Sequence, residues 1–183
     1  MALPGGAEIL FLGSLDYSAN IDALAFLVDS VAPLIERRNA TLSVVGSHPR
    51  NEVFEIAKRS TLAMTVNGDV LDTTPYWERA RALAVPLRVG GGTRLKILEA
   101  LARGVPVVTT SLGCEGLGLR SGQEVLVADD AEAFAACVDR LLDDDELCRS
   151  LAAQGRTVVE ARFDWRTIGD AFESSLSSVI GSA

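Results

Sequence analysis

The chain has 183 residues, 48% of them hydrophobic and only 5% aromatic, with a formal net charge of −8. That length suits one globular domain with a core of Leu, Val and Ala. The scarcity of aromatics does not favour a stacking platform for nucleic acid, and the acidic balance argues against a general polyanion binder, so any anion site must be local.

Short apolar runs alternate with helix-length segments. EILFLG (8–13) predicts a strand, and NIDALAFLVDSVAPLIERR (20–38) predicts a helix with Asn20 as its N-cap and a kink at Pro33. TLSVVG (41–46) is the next strand, NEVFEIAKRS (51–60) the next helix and LAMTVNG (62–68) the third strand. Thr74 and Pro75 open a short helix, the threonine capping and the proline at the first helical position. ALAVPL (82–87) reads as a buried strand, followed by a helix from about Thr93 to Arg103 that Gly104 stops. VPVVTT (105–110) and EVLVA (124–128) complete six strands, and the remainder reads as helical. This alternation predicts an α/β fold: a doubly wound, Rossmann-like parallel sheet of about six strands, whose order the sequence does not give. Residues 1–183 read as a single domain, with an α/β core over 6–162 and a C-terminal helix over 163–183.

Other features are bland. The run 129–146 holds eight acids against one arginine and reads as a solvated helix face with caps, not a metal site. Cys114, Cys137 and Cys148 have no metal-ligand spacing. Cys137 and Cys148 fall in apolar helical patterns and read as buried free thiols, which suit a reducing cytosol. No apolar run reaches the roughly 18 residues of a membrane span, and the N-terminus lacks a signal-peptide pattern. The expected location is therefore cytoplasmic.

VGGGTRLKILEALARGVPVVTT (89–110) carries the functional signal. In an open parallel sheet, ligands bind beyond the carboxyl ends of the strands. Here Gly90, Gly91 and Gly92 lie at such an end and lead into a helix. Glycines let backbone N–H groups approach a ligand, and a helix N-terminus adds about half a positive charge. Arg94 and Lys96 fall in the first turn, where the dipole alone disfavours cations, and an anion between them and the N-terminus would explain the placement. Between Trp77 and Gly104, Arg79, Arg81, Arg88, Arg94, Lys96 and Arg103 face only Glu78 and Glu99, which predicts a local cationic pocket in an acidic chain. The bland alternative is a glycine turn with no ligand. The run lacks both the GxxxxGK[ST] phosphate loop and a GxGxxG dinucleotide fingerprint. Glu99 lies roughly 9 Å along the helix from Thr93, at ~1.5 Å per residue, and helical side chains lean back toward the N-terminus. Its carboxylate can accept both hydroxyls of a ribose diol, or pair with Lys96 or Arg103 instead.

GGGTRLKILEALARGVPVVTT followed by GCEGL resembles the donor-binding domain of family 4-type glycosyltransferases of the GT-B fold. FLGSLDYSANIDAL, LSVVGSHP, VNGDVLDTTPYWERARALAVPLRVGGG, EVLVADDAEAFAACVDRLLDD and FDWRTI follow the family's order, so the resemblance covers roughly residues 8–176. It implies a nucleotide-diphosphate sugar as donor, with Glu99 on the ribose as the second glutamate of the family's Glu-x7-Glu motif. It also implies Arg94 and Lys96 on the pyrophosphate beside the Gly92, Thr93 and Arg94 amides. Gly68, Asp69 and Val70 match the loop that lines the base. Two positions depart from the pattern: Gly91 stands where the first motif glutamate would touch the sugar, and Ser14, Asp16 and Asn20 replace the Arg and Lys often found after the first strand. The first departure leaves the stereochemical outcome open; the second hands charge neutralisation to Arg94 and Lys96. The GGGTRLK form resembles the exopolysaccharide-type members.

A GT-B enzyme has two such domains, with the acceptor site and usually the base in the first. This chain has room for one, so the resemblance implies a partner N-terminal acceptor domain, in cis or as a separate chain. Any peripheral membrane contact would run through that half. The catalytic base is expected outside the chain. His48 reads as a loop residue near the cleft, Glu115 as either a sugar contact or a turn cap, and Asp72 as a turn former. Neither a cofactor nor a metal is expected. Two other functions stay open at this point: half of a GT-B nucleotide-sugar epimerase, and a non-catalytic nucleotide-binding module.

Overall fold

Mostly apolar runs become strands here because a parallel strand inside the sheet is buried on both faces and needs no polar alternation. In a computed structural model, which describes residues 6–37, 39–169 and 172–173, there are six of them. They are β1 (Glu8–Leu12), β2 (Thr41–Gly46), β3 (Ala63–Gly68), β4 (Ala82–Val85), β5 (Val107–Thr109) and β6 (Leu126–Val127). All pair in parallel, in the order β3-β2-β1-β4-β5-β6. This is the expected doubly wound arrangement, and the order places a switch point between β1 and β4. The helices that connect or flank the strands include α1 (Ser18–Phe26), α2 (Asn51–Ala57), α3 (Thr74–Arg79), α4 (Leu95–Arg103), α5 (Ala131–Asp143) and α6 (Asp145–Arg162). The core is centred on Ile9, Leu10, Phe11, Val44, Leu83, Val107 and Val108, each at most 2% exposed.

Several boundaries differ from the sequence-based expectation. The first helix starts at Ser18 with Tyr17 as N-cap, so Asn20 is inside the helix and not its cap. The helix also stops early: it loosens to a π turn over Leu27–Val31, tightens to a 3-10 turn over Ala32–Leu34, and is extended by Ile35. Pro33 removes a donor and ends the helix instead of kinking it. Thr73 holds the N-cap position of α3 without a side-chain cap bond, and Thr74 is helical with its N–H donated to Asp72 Oδ1 at 2.9 Å. Asp72 is thus the turn former expected. Helix α4 begins at Leu95, two residues later than expected, because Arg94 holds a non-helical backbone (φ −85°, ψ 50°). It ends at Gly104 as expected.

Downstream, Asp130 and Asp144 cap α5 and α6 by accepting the amides of Ala133 and Leu147, which accounts for part of the acidic run. Helix α6 crosses α4 closely: a β-carbon on Gly155 would lie 2.5 Å from Leu101 Cδ2. Cys148 is buried as expected, whereas Cys137 is only half-buried. Residues 165–169 are helical, and most of the expected helix over 163–183 lies outside the described residues. Among the described residues no helix is long and apolar enough to cross a membrane.

Candidate functional site

The carboxyl ends of β1 and β4 flank the switch point, and the loop after β4 carries the glycine run. Gly90 and Gly92 hold φ of 97° and 99°, a left-handed region that a side chain would strain. Gly91, Gly92 and Thr93 are exposed. Helix α4 follows with no side-chain cap, so its first amides are left to solvent or a ligand. Its buried face, Ile97, Ala100 and Leu101, locks it into the core.

The six-cation pocket expected from sequence is reduced by pairing. Arg79 reaches Glu8 at 3.4 Å, Arg81 reaches Asp145 at 2.6 Å, Arg88 reaches Asp22 at 2.6 Å and Arg103 reaches Glu99 at 3.1 Å. Arg81 is only 3% exposed and also donates to Leu141 O at 2.8 Å, so it is a strut between β4 and the last two helices. Arg94 and Lys96 alone of the six have no carboxylate partner among the described residues.

These two cations are held differently. Arg94 is 8% exposed, and its guanidinium donates to Gly91 O at 3.2 Å, Gly90 O at 3.3 Å and Leu112 O at 3.0 Å. It therefore ties the glycine loop to the turn after β5, a role that sequence reasoning did not foresee. Its Nε stays buried without a partner. Lys96 is half-buried, and its ammonium donates to Asn20 Oδ1 at 3.0 Å and lies 5.7 Å from the centroid of the Phe11 ring. Burial first, and then the nearby Arg94 charge, push its pKa down to about 8. The ammonium sits against the end of β1, where a β-carbon on Gly13 would lie 2.8 Å from Lys96 Nζ and 2.8 Å from Asn20 Nδ2. Gly13 thus leaves room for both groups where they stand, and a side chain there would force them to shift.

Two clefts open on this edge. The larger, of about 930 Å³, is lined by Gly92, Thr93, Arg94, Glu99 and Glu115, with apolar walls from Leu98 and Val159 among others. The smaller, of about 290 Å³, is lined by Gly13, Ser14, Gly46, Asp69, Val70 and Thr73 at the ends of the first three strands. The structure so gathers five of the expected site residues in one cleft and Val70 in the other. Gly68, at the end of β3, lines neither cleft, and a β-carbon on it would meet Pro49 Cγ at 2.5 Å.

Glu99 uses Oε1 for the Arg103 ion pair, but its side chain is 41% exposed and the pair is a surface one. Glu115 is exposed on the cleft wall just after the 3-10 turn Leu112–Cys114. His48 is exposed in the loop after β2, at φ 52°, and its amide donates to Asp69 Oδ1 at 2.8 Å.

Against known proteins, residues 6–144 match the family described as glycosyl transferases group 1. An uncharacterized 44.6 kDa protein in the cps region of Klebsiella pneumoniae is 24% identical over 169 residues, which cover 88% of this chain and 44% of that protein. Glycogen synthase of Mycobacterium tuberculosis is 30% identical over 177 residues, 91% of this chain and 41% of that enzyme. The chain therefore spans less than half the length of these curated relatives. Among solved structures, HepE of Anabaena in complex with UDP and glucose superposes at a TM-score of 0.78 and 17% identity, over 95% of this chain and 49% of that one. Sucrose-phosphate synthase of Thermosynechococcus elongatus gives 0.77 at 24% identity, over 99% of this chain and 47% of that one. These structural likenesses show the fold, and the family match runs over most of the sequence: the chain belongs to the group 1 glycosyl transferases.

Proposed function

We propose that this chain is the donor-binding half of a GT-B glycosyltransferase that moves a sugar from a nucleotide-diphosphate sugar to a glycan or other acceptor. One observation carries the reading. At the switch point of the sheet, the half-buried Lys96 ammonium faces no carboxylate among the described residues and stands beside an uncapped helix start. A desolvated cation with no internal counter-ion is costly to fold, and an anionic ligand supplies the missing charge. The diphosphate would lie between Lys96 and the amides at the start of α4, with Gly91, Gly92 and Thr93 close by and Arg94 holding the loop in shape. Glu99 would take the ribose hydroxyls, Gly68 and Val70 the base, and Glu115 the sugar end of the larger cleft.

Catalysis would come from fixed positive potential on the departing diphosphate, in place before the bond breaks. No metal is needed in this scheme, because Lys96 and the helix start offset the developing charge. The acceptor site and the base would belong to an N-terminal domain, in cis or as a separate chain, in a cytoplasmic enzyme of the exopolysaccharide type. A transfer assay tests this: the 183-residue chain alone should not turn over, and adding the N-terminal half should restore transfer. Robust turnover by the chain alone would show that the acceptor site has been misplaced.

A further inference from the structure

Asn20 is a polar side chain in the interior of α1, only 7% exposed, and a buried amide left unbonded is costly. Both of its ends are used. Nδ2 donates to Ser14 O at 2.8 Å, and Oδ1 accepts from Lys96 Nζ at 3.0 Å. The orientation of the amide follows from chemistry, because a backbone carbonyl only accepts and an ammonium only donates. Asn20 therefore ties the end of β1, through Ser14, to the one lysine on α4. Gly13 lies against both groups and leaves them room.

We propose that Asn20 is a positioning residue that fixes the Lys96 ammonium at the diphosphate site without neutralising it. This rests on the reading of the site given above. A carboxylate at this place would be nearly the same shape and would also anchor the ammonium. It would however consume the charge and set a second oxygen against Ser14 O, where Asn20 now donates. A neutral acceptor holds the cation in place and leaves its charge for the ligand. The charge that acts on the ammonium is the like charge of Arg94, and among the described residues no carboxylate pairs with it to compete with an anion.

Calorimetric titration of the 183-residue chain with UDP, GDP, ADP and the matching nucleosides tests this. For the diphosphate that binds wild type best, Asn20→Asp should lose about tenfold or more in affinity and Asn20→Ala several-fold less, with the nucleoside unchanged. Should Asn20→Asp fail to fold, a double-mutant cycle decides the matter. Asn20→Ala should weaken the diphosphate in the wild-type background and have no further effect in the Lys96→Met background. A purely structural role would lower nucleoside affinity too and persist in both backgrounds, which overturns the inference. So would Asn20→Asp binding the diphosphate as well as Asn20→Ala. If wild type binds no nucleoside diphosphate, the donor-site reading falls and the inference with it.

Discussion

Replacing Lys96 by methionine should stabilise the ligand-free chain at neutral pH while weakening, but not abolishing, its affinity for a diphosphate. The Lys96 pKa stands at about 8 against an ordinary value of 10.5, with burial the larger cause and Arg94 the smaller. At about 1.4 kcal/mol per pH unit, that difference caps the cost of keeping the ammonium charged in the fold at about 3 kcal/mol. Methionine keeps the apolar stem but gives up the hydrogen bond to Asn20, worth about 1 kcal/mol, and solvent screening trims the rest. A net gain of about 1–2 kcal/mol remains, or a Tm higher by about 3–6 °C for a chain of this size. The pH dependence supplies the sign. Because the folded pKa lies below the unfolded one, the penalty is full below pH 8 and fades as pH rises from 8 to 10.5. The advantage of Lys96→Met should shrink over that window. Urea unfolding of both proteins from pH 6.5 to pH 10.5 reads it directly, with other titrations cancelling in the difference. A variant less stable than wild type at pH 7, or an advantage that does not change with pH, would refute the reasoning.

Other substitutions separate site from scaffold. Glu99→Ala should weaken a ribonucleoside diphosphate at least tenfold and its 2′-deoxy form less, at about 1.5–3 kcal/mol per charged hydrogen bond; equal losses in a binding titration would remove Glu99 from the ribose. Its effect on stability should stay within about 0.5 kcal/mol, since the Arg103 pair is exposed. Arg94→Lys should not restore what Arg94→Ala loses, because an ammonium cannot span Gly90, Gly91 and Leu112 as the guanidinium fork does; hydrogen exchange at residues 90–93 and 112–115 should rise in both. Arg81→Ala should cost about 2–4 kcal/mol in urea unfolding by removing a buried, doubly bonded strut, yet leave nucleotide affinity of the folded fraction unchanged. A loss of affinity there would return Arg81 to the site.

The elements were legible because parallel strands such as ALAVPL are unbroken apolar runs and others such as TLSVVG are mostly apolar, and their spacing by helix-length segments leaves few topologies. Strand order was not, since it depends on which crossovers pack where. The glycine run and its helix were legible for the same local reason: GGG at a strand end, with Gly104 nine residues past Leu95. What escaped was pairing at a distance. Nothing local ties Arg88 to Asp22 or Arg81 to Asp145, so a run of six cations read as one pocket when four were already matched. Asn20 was misread in the same way. Asparagine before an apolar run signals a cap, and only the fold reveals that its partner is Lys96, far along the chain. Arg94 was expected on the pyrophosphate from its place in the motif; the three carbonyls it binds come from two different loops.

The most direct test of a donor diphosphate site built on Lys96 is calorimetry of the chain with UDP, GDP and ADP in EDTA near pH 8, repeated in buffers of different ionisation enthalpy. At least one diphosphate should bind without metal and far more tightly than its nucleoside. Binding should take up protons, because the incoming anion raises the Lys96 pKa from about 8. Equal affinity for nucleoside and diphosphate, binding only when magnesium is supplied, or binding with no proton uptake would contradict it.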